Sequence, residues 1–180
     1  MNNNITSNRS LRIFFTTFMT SAILVSFLSN TGCNIYKFNE ATVPDSIKTV
    51  KIITFINRAR YVNPQLSPKL TEKLRQKIVG QTRLTQTNND SPDWEISGTI
   101  TDYSLSTSAI SGQREVNNRL TVGVRITLNK IKEEKIENFD VSRNFEFPAS
   151  QSLQQAESSL SDEMVRSLTD EIFNKIFSNW

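Results

Sequence analysis

Histidine is absent from this 180-residue chain and cysteine occurs once. Without imidazole the chain can build neither a Ser-His-Asp nor a Cys-His nucleophile, nor a zinc site that depends on histidine. A lone cysteine forms no internal disulfide and no CxxC pair, so the meaning of Cys33 has to come from its position. The five glycines, at 32, 80, 98, 112 and 123, are too scattered for a phosphate-cradling loop. Calcium-loop spacing of the DxDxDG kind is missing too. The pairs Glu133-Glu134, Asp162-Glu163 and Asp170-Glu171 are sequence neighbours, which on a helix diverge by about 100° and cannot share a proton across a cleft. No catalytic constellation remains, and neither a metal nor an organic cofactor is called for.

What is present begins with an address. Arg9 and Arg12 are the only charges before Lys37, and residues 11–28 are mostly apolar with small hydroxylated residues between. A positive n-region before such a stretch, with no stop-transfer flank, is a secretory signal. Ser29, Asn30, Thr31 and Gly32 then lead into Cys33, an arrangement similar to the lipobox of bacterial lipoproteins except that Asn30 stands where an apolar residue is usual. Two readings follow: acylation of Cys33, or an ordinary signal with an incidental cysteine. Acylation consumes a thiol that would be a liability in an oxidising compartment, and several acyl chains hold a protein durably at a membrane. The expected division is a signal peptide at 1–32, a lipidated tether at 33–46 and a single α+β domain at 47–180. Without the signal there are 19 basic and 18 acidic residues, a balance that argues against a nucleic-acid partner.

The domain reads as strand, helix, three strands, helix. Residues 47–56 (IKTVKIITFI) are rich in β-branched side chains and predict the first strand. Ser67-Pro68 offers an N-cap and first-turn proline, Leu66, Leu70, Leu74 and Ile78 recur every four residues, and Gly80 stands where a helix stop belongs. Trp94, Ile96 and Ile100 alternate with polar residues, and that segment continues through Tyr103 and Leu105. Leu120, Val122, Val124, Ile126 and Leu128 alternate still more regularly, and Phe139, Val141, Phe145 and Phe147 do the same beyond the charged turn 130–135, so these two strands form a hairpin. Ser152 with Gln155 has capping-box form, followed by Leu153, Ala156, Leu160, Met164, Leu168, Ile172 and Ile176 at helical spacing. Two amphipathic helices and a sheet with one apolar face predict a two-layer α+β sandwich: four strands in β-α-β-β-β-α order, both helices on one face.

Charge is segregated along the chain. Residues 48–83 hold nine basic side chains and one acid, Glu72, whereas residues 133–171 hold ten acids against Lys135, Arg143 and Arg166. Either the basic segment is a surface for an anionic ligand, or the basic first helix lies beside the acidic last one. Arg143 falls in phase with Phe139, Val141, Phe145 and Phe147, which places it at the sheet margin or makes it a recruited polar group.

Val62-Asn63-Pro64, Leu66-Ser67, Thr71-Glu72, residues 81–84 (QTRL), residues 118–121 (NRLT) and the ending at 172–180 (IFNKIFSNW) resemble the lipopolysaccharide-assembly lipoprotein family LptE, in its Bacteroidetes-type branch. The resemblance spans essentially all of the mature chain. It implies an outer-membrane lipoprotein that plugs and supports an LptD-type β-barrel and assists delivery of lipopolysaccharide to the outer leaflet. Asn34 after the cysteine, with no acidic run, implies delivery to the outer membrane, facing the periplasm. The family's lipopolysaccharide contacts are basic residues near strand ends and loops, for which Arg114, Arg119, Lys130 and Lys132 are the candidates by position. A lipoprotein that scaffolds or activates a cell-wall enzyme, and a lipid carrier with a deep apolar cavity, are the alternatives.

Overall fold

The alternating run at 120–128 becomes the spine of the molecule. The computed structural model describes residues 43–111 and 114–178, the side chains at 108–111 and 114–116 excepted. The chain divides into Met1–Phe38 and Asn39–Trp180, and all described residues belong to the second unit. The expected signal peptide, Cys33 and most of the tether lie outside them.

Among the described residues nine elements follow in order: β1 (Thr49–Ile52), β2 (Ile56–Asn57), α1 (Leu66–Gln81), β3 (Thr85–Gln86), β4 (Trp94–Ser111), β5 (Arg114–Lys130), a 3-10 turn (Ile131–Glu133), β6 (Lys135–Pro148) and α2 (Leu153–Phe177). They form one mixed sheet in the order β3-β1-β4-β5-β6, with β2 also beside β4. β1 runs parallel to β3 and β4, β2 runs parallel to β4, and β4, β5 and β6 are antiparallel neighbours. The class is α+β, as expected, but the sheet has six strands where four were expected.

Two causes account for the difference. The expected strand 47–56 breaks at residues 53–55, because Phe55 turns into the core and its backbone leaves the sheet for α1. Its N–H donates to Thr71 Oγ1 at 3.0 Å, and its carbonyl accepts the Ser67 hydroxyl. Gly98 makes room for the ring: a Cβ there would lie 2.6 Å from Phe55. The second cause is β3, two residues whose pairing with Thr49 and Val50 leaves no mark in local periodicity.

The first helix also differs from expectation. Ser67 is not its N-cap: α1 begins at Leu66, Gln65 occupies the cap without a side-chain bond, and Ser67 serves Phe55 instead. Gly80 does not stop it either, since the helix runs through Gln81 and the Thr82 N–H closes it on the Ile78 carbonyl at 3.0 Å. The second helix starts as expected, with Ser152 and Gln155 completing a capping box.

The apolar faces meet in one core. Leu70, Leu74 and Ile78 of α1 and Met164, Leu168 and Ile172 of α2 close over Ile96, Ile100, Leu120, Val124, Ile126 and Leu128 of the sheet, all of them buried. A register shift between Ile100 and Asp102 inverts the alternation of β4. That bulge explains how Tyr103 lies on the same face as Trp94, Ile96 and Ile100 despite the odd spacing.

Candidate partner-binding surface

The same alternation that buries one sheet face gives the other to small polar residues. Ser97, Thr99 and Ser104 on β4, Thr121, Arg125 and Thr127 on β5, and Asn138, Asp140, Ser142 and Asn144 on β6 occupy the positions between the core residues. Among the described residues no helix covers them. Their cross-strand partners satisfy one another: Arg125 Nε donates to Asp140 Oδ1 at 2.8 Å, Thr121 Oγ1 to Asn144 Oδ1 at 2.9 Å, and Thr127 Oγ1 to Asn138 Oδ1 at 2.8 Å. Such pairs stabilise the ladder and leave a broad hydroxyl- and amide-bearing surface. Glu95 and Asp102 lie on the same face outside these pairs, with Asp102 accepting the Ser104 hydroxyl at 3.2 Å.

The four candidate cations do not converge. Arg119 points to the uncovered face and pairs with Glu146 at 3.1 Å. Lys130 is bound to Glu137 at 2.9 Å and lies 5.5 Å from the centre of the Trp94 ring. Lys132, on the 3-10 turn, bonds Asp93 at 2.7 Å and the Ser46 carbonyl at 3.1 Å. Arg114 opens β5 opposite Ser111, and its side chain lies outside the described residues. Arg119 and Lys130 stand eleven positions apart on β5, which separates them by about 35 Å at the rise of a strand.

Asp93 is the polar residue that sequence reasoning passed over. It is buried, and one carboxylate oxygen accepts the N–H groups of Lys48 and Thr49 at 2.7 and 2.9 Å while the other takes Lys132. The Lys132 bond first, then the Lys48 N–H, hold its pKa well below the usual carboxylate range. Its position just before a strand, after Ser91-Pro92, reads locally as loop, and its three partners are remote in sequence.

The segregated charges meet in space. α1 packs beside α2, Lys77 Nζ lies 2.7 Å from Asp170 and 5.0 Å from the centre of the Phe173 ring, and Lys69 donates to Ser161 at 3.0 Å. A groove of about 710 Å³ between the helices is lined by Lys69, Lys73 and Arg166 but also by Glu72, Asp162 and Glu163. Both signs face it, so it is no anion site. Arg143 lies on the edge strand β6 and reaches over to Glu171 of α2.

A family model described as "LptE: Lipopolysaccharide-assembly" matches residues 47–176. The chain belongs to the LptE family. At the level of the family, this makes it a lipopolysaccharide-assembly lipoprotein. No curated protein matches it. Among solved structures it is similar to the hypothetical protein CT253 from Chlamydia trachomatis, with 10% identity over 74% of this chain and 99% of that one and a TM-score of 0.49. It is similar also to a minor lipoprotein from Acinetobacter baumannii, with 12% identity over 74% and 95% of the two chains and a TM-score of 0.46. A third is the uncharacterized lipoprotein B from Nitrosomonas europaea, with 14% identity over 73% and 80% and a TM-score of 0.45. Among the described residues, no helix of this LptE-family chain is long and apolar enough to cross a membrane.

Proposed function

We propose that this LptE-family chain is an outer-membrane lipoprotein, anchored through acylated Cys33, that occupies the lumen of an LptD-type β-barrel. There it plugs and supports the barrel and assists insertion of lipopolysaccharide into the outer leaflet. The observation that carries the reading is the uncovered hydrophilic sheet face on a domain of this family. Barrel interiors are polar, and wide barrels need something to fill them. A face of mutually bonded Thr, Asn, Arg and Asp side chains suits such a lumen, because Arg125 enters it already paired with Asp140. Lipopolysaccharide contact is proposed for Arg114, Arg119, Lys130 and Lys132; the last three each hold a carboxylate that a lipopolysaccharide phosphate would have to displace. The apolar faces of helices and sheet pack on one another, and the groove of about 710 Å³ on the helices is lined mostly by charged side chains, which disfavours the lipid carrier.

Co-purification from envelope membranes tests the proposal. Recovery of a large β-barrel protein with the chain is expected, and recovery of a soluble periplasmic enzyme in its place overturns the reading. Ser142 is exposed on the uncovered face, midway along the edge strand β6. Ser142→Trp is expected to leave stability within about 0.5 kcal/mol, as exposed substitutions do, while abolishing barrel recovery.

A further inference from the structure

The turn between β5 and β6 carries two apolar side chains that the core does not use. Ile131 is 36% exposed and Ile136 is 63% exposed, the latter more than any other large hydrophobic among the described residues. This turn is bound to the place where the chain enters the domain. The Ile131 N–H donates to the Asp93 carbonyl at 3.0 Å, Lys132 bonds both Asp93 and the Ser46 carbonyl, and the Asp93 carboxylate holds the Lys48 and Thr49 N–H groups. Turn and incoming chain therefore form one fixed end of the domain.

Covalent reach then decides which end a membrane anchor can serve. Nine residues, ten Cα-to-Cα steps, separate Cys33 from Val43, a span of at most about 35 Å. The seventeen residues of β5 carry the opposite end of the sheet about 55 Å away. An acylated Cys33, on which this inference rests, lets the β5–β6 turn touch the leaflet while the far hairpin, in an upright pose, is out of reach.

We propose that the β5–β6 turn is a second membrane contact, with Ile131 and Ile136 seated at the boundary between headgroups and acyl chains of the leaflet that holds Cys33. The ammonium groups of Lys132 and Lys135 are held by Asp93 and Glu137 within the domain. Charge contributes little, because Lys130, Lys132 and Lys135 are offset by Glu133, Glu134 and Glu137. The contact is apolar and insensitive to salt.

Acylation leaves no free thiol on Cys33, so Ile136→Cys supplies a single labelling site, and its exposure makes the change harmless to the fold. The acylated chain, carrying a polarity-sensitive fluorophore at that position, is placed in phosphatidylethanolamine and phosphatidylglycerol vesicles with a lipid-borne quencher. The expected result is a blue shift and a quenching several-fold greater than for the same label at Ser104→Cys, unchanged by salt. Equal, water-like emission at both positions overturns the contact, and so does shielding that develops only after a β-barrel protein is added. Mass spectrometry of the same sample separates the two failures. An unmodified Cys33 refutes the anchor and the contact with it; an acylated Cys33 beside a water-exposed label refutes the contact alone.

Discussion

Gly98 and Asp93 each hold a place that no other residue type fills. At Gly98 the constraint is space, since an added Cβ falls 2.6 Å from the buried Phe55 ring, closer than side-chain atoms approach one another. Gly98→Ala has to displace that ring, and with it the bonds from Phe55 to Ser67 and Thr71. The expected cost is about 1–3 kcal/mol, read as a lowered urea midpoint with an unchanged slope. At Asp93 the constraint is charge. Its folded pKa is depressed, so its contribution is fully present above the unfolded value near 4 and is lost as the pH falls toward the folded one. Asp93→Asn keeps the shape but replaces an acceptor of three bonds by an amide whose NH2 faces a donor. Stability at pH 7 is expected to fall by about 2–3 kcal/mol. The variant should also show a flatter loss of stability on acidification than the parent; parallel pH profiles would remove Asp93 from the account.

At the scale of elements, the break between β1 and β2 is the feature on which the packing of α1 depends. A strand that leaves its ladder must satisfy its backbone elsewhere, and here two hydroxyls one turn apart on α1 do so. Thr71→Val removes the acceptor for the Phe55 N–H at nearly constant volume. A buried donor left without a partner costs about 1–3 kcal/mol, and amide exchange at Phe55 is expected to accelerate while exchange in β5 does not. The same break marks the limit of what local sequence expresses. β5, β6 and α2 were legible because each has one wet and one dry side, which writes periods of two or 3.6 into the chain. The Ser152 capping box was legible because its partners lie three residues apart. Ser67 misled because a serine before proline looks like a cap, and only the position of Phe55, set by tertiary packing, gives it another use. β3 exists because β1 offers it a neighbour, and the inverted alternation of β4 at the bulge depends on Gly123 opposite, where a Cβ would stand 3.1 Å from Asp102. Of the candidate surface, the polar residues could be read off one by one. That the two helices leave their face bare could not, because alternation marks two faces without saying which elements cover them.

For the whole molecule, the question left by the sequence was whether its segregated charge serves a ligand or the fold. Lys77 lies against Asp170 with its side chain only 20% exposed, and its ammonium group sits over the Phe173 ring, so much of the positive charge of α1 is directed at α2 and away from solvent. The groove nearby exposes acids as well as bases. A lipopolysaccharide phosphate arriving there would meet Glu72, Asp162 and Glu163 along with Lys73. Lys77→Glu therefore sets like charges together at the helix interface, and a loss of about 1–2 kcal/mol is expected, the lost pair plus the new repulsion at a half-screened site. Adding Asp170→Lys restores opposite signs with the order reversed, and more than half of the lost stability should return. Reversal of both Lys73 and Lys77 separates the two roles. If the charge serves the fold, binding of purified lipopolysaccharide per folded molecule stays at the parent level while the urea midpoint falls. If it serves a ligand, binding drops in the reversed variant even where the fold is intact, and addition of Asp170→Lys repairs stability without repairing binding. The geometry favours the first outcome, because a cation held 2.7 Å from a carboxylate has to leave one anion before it can receive another.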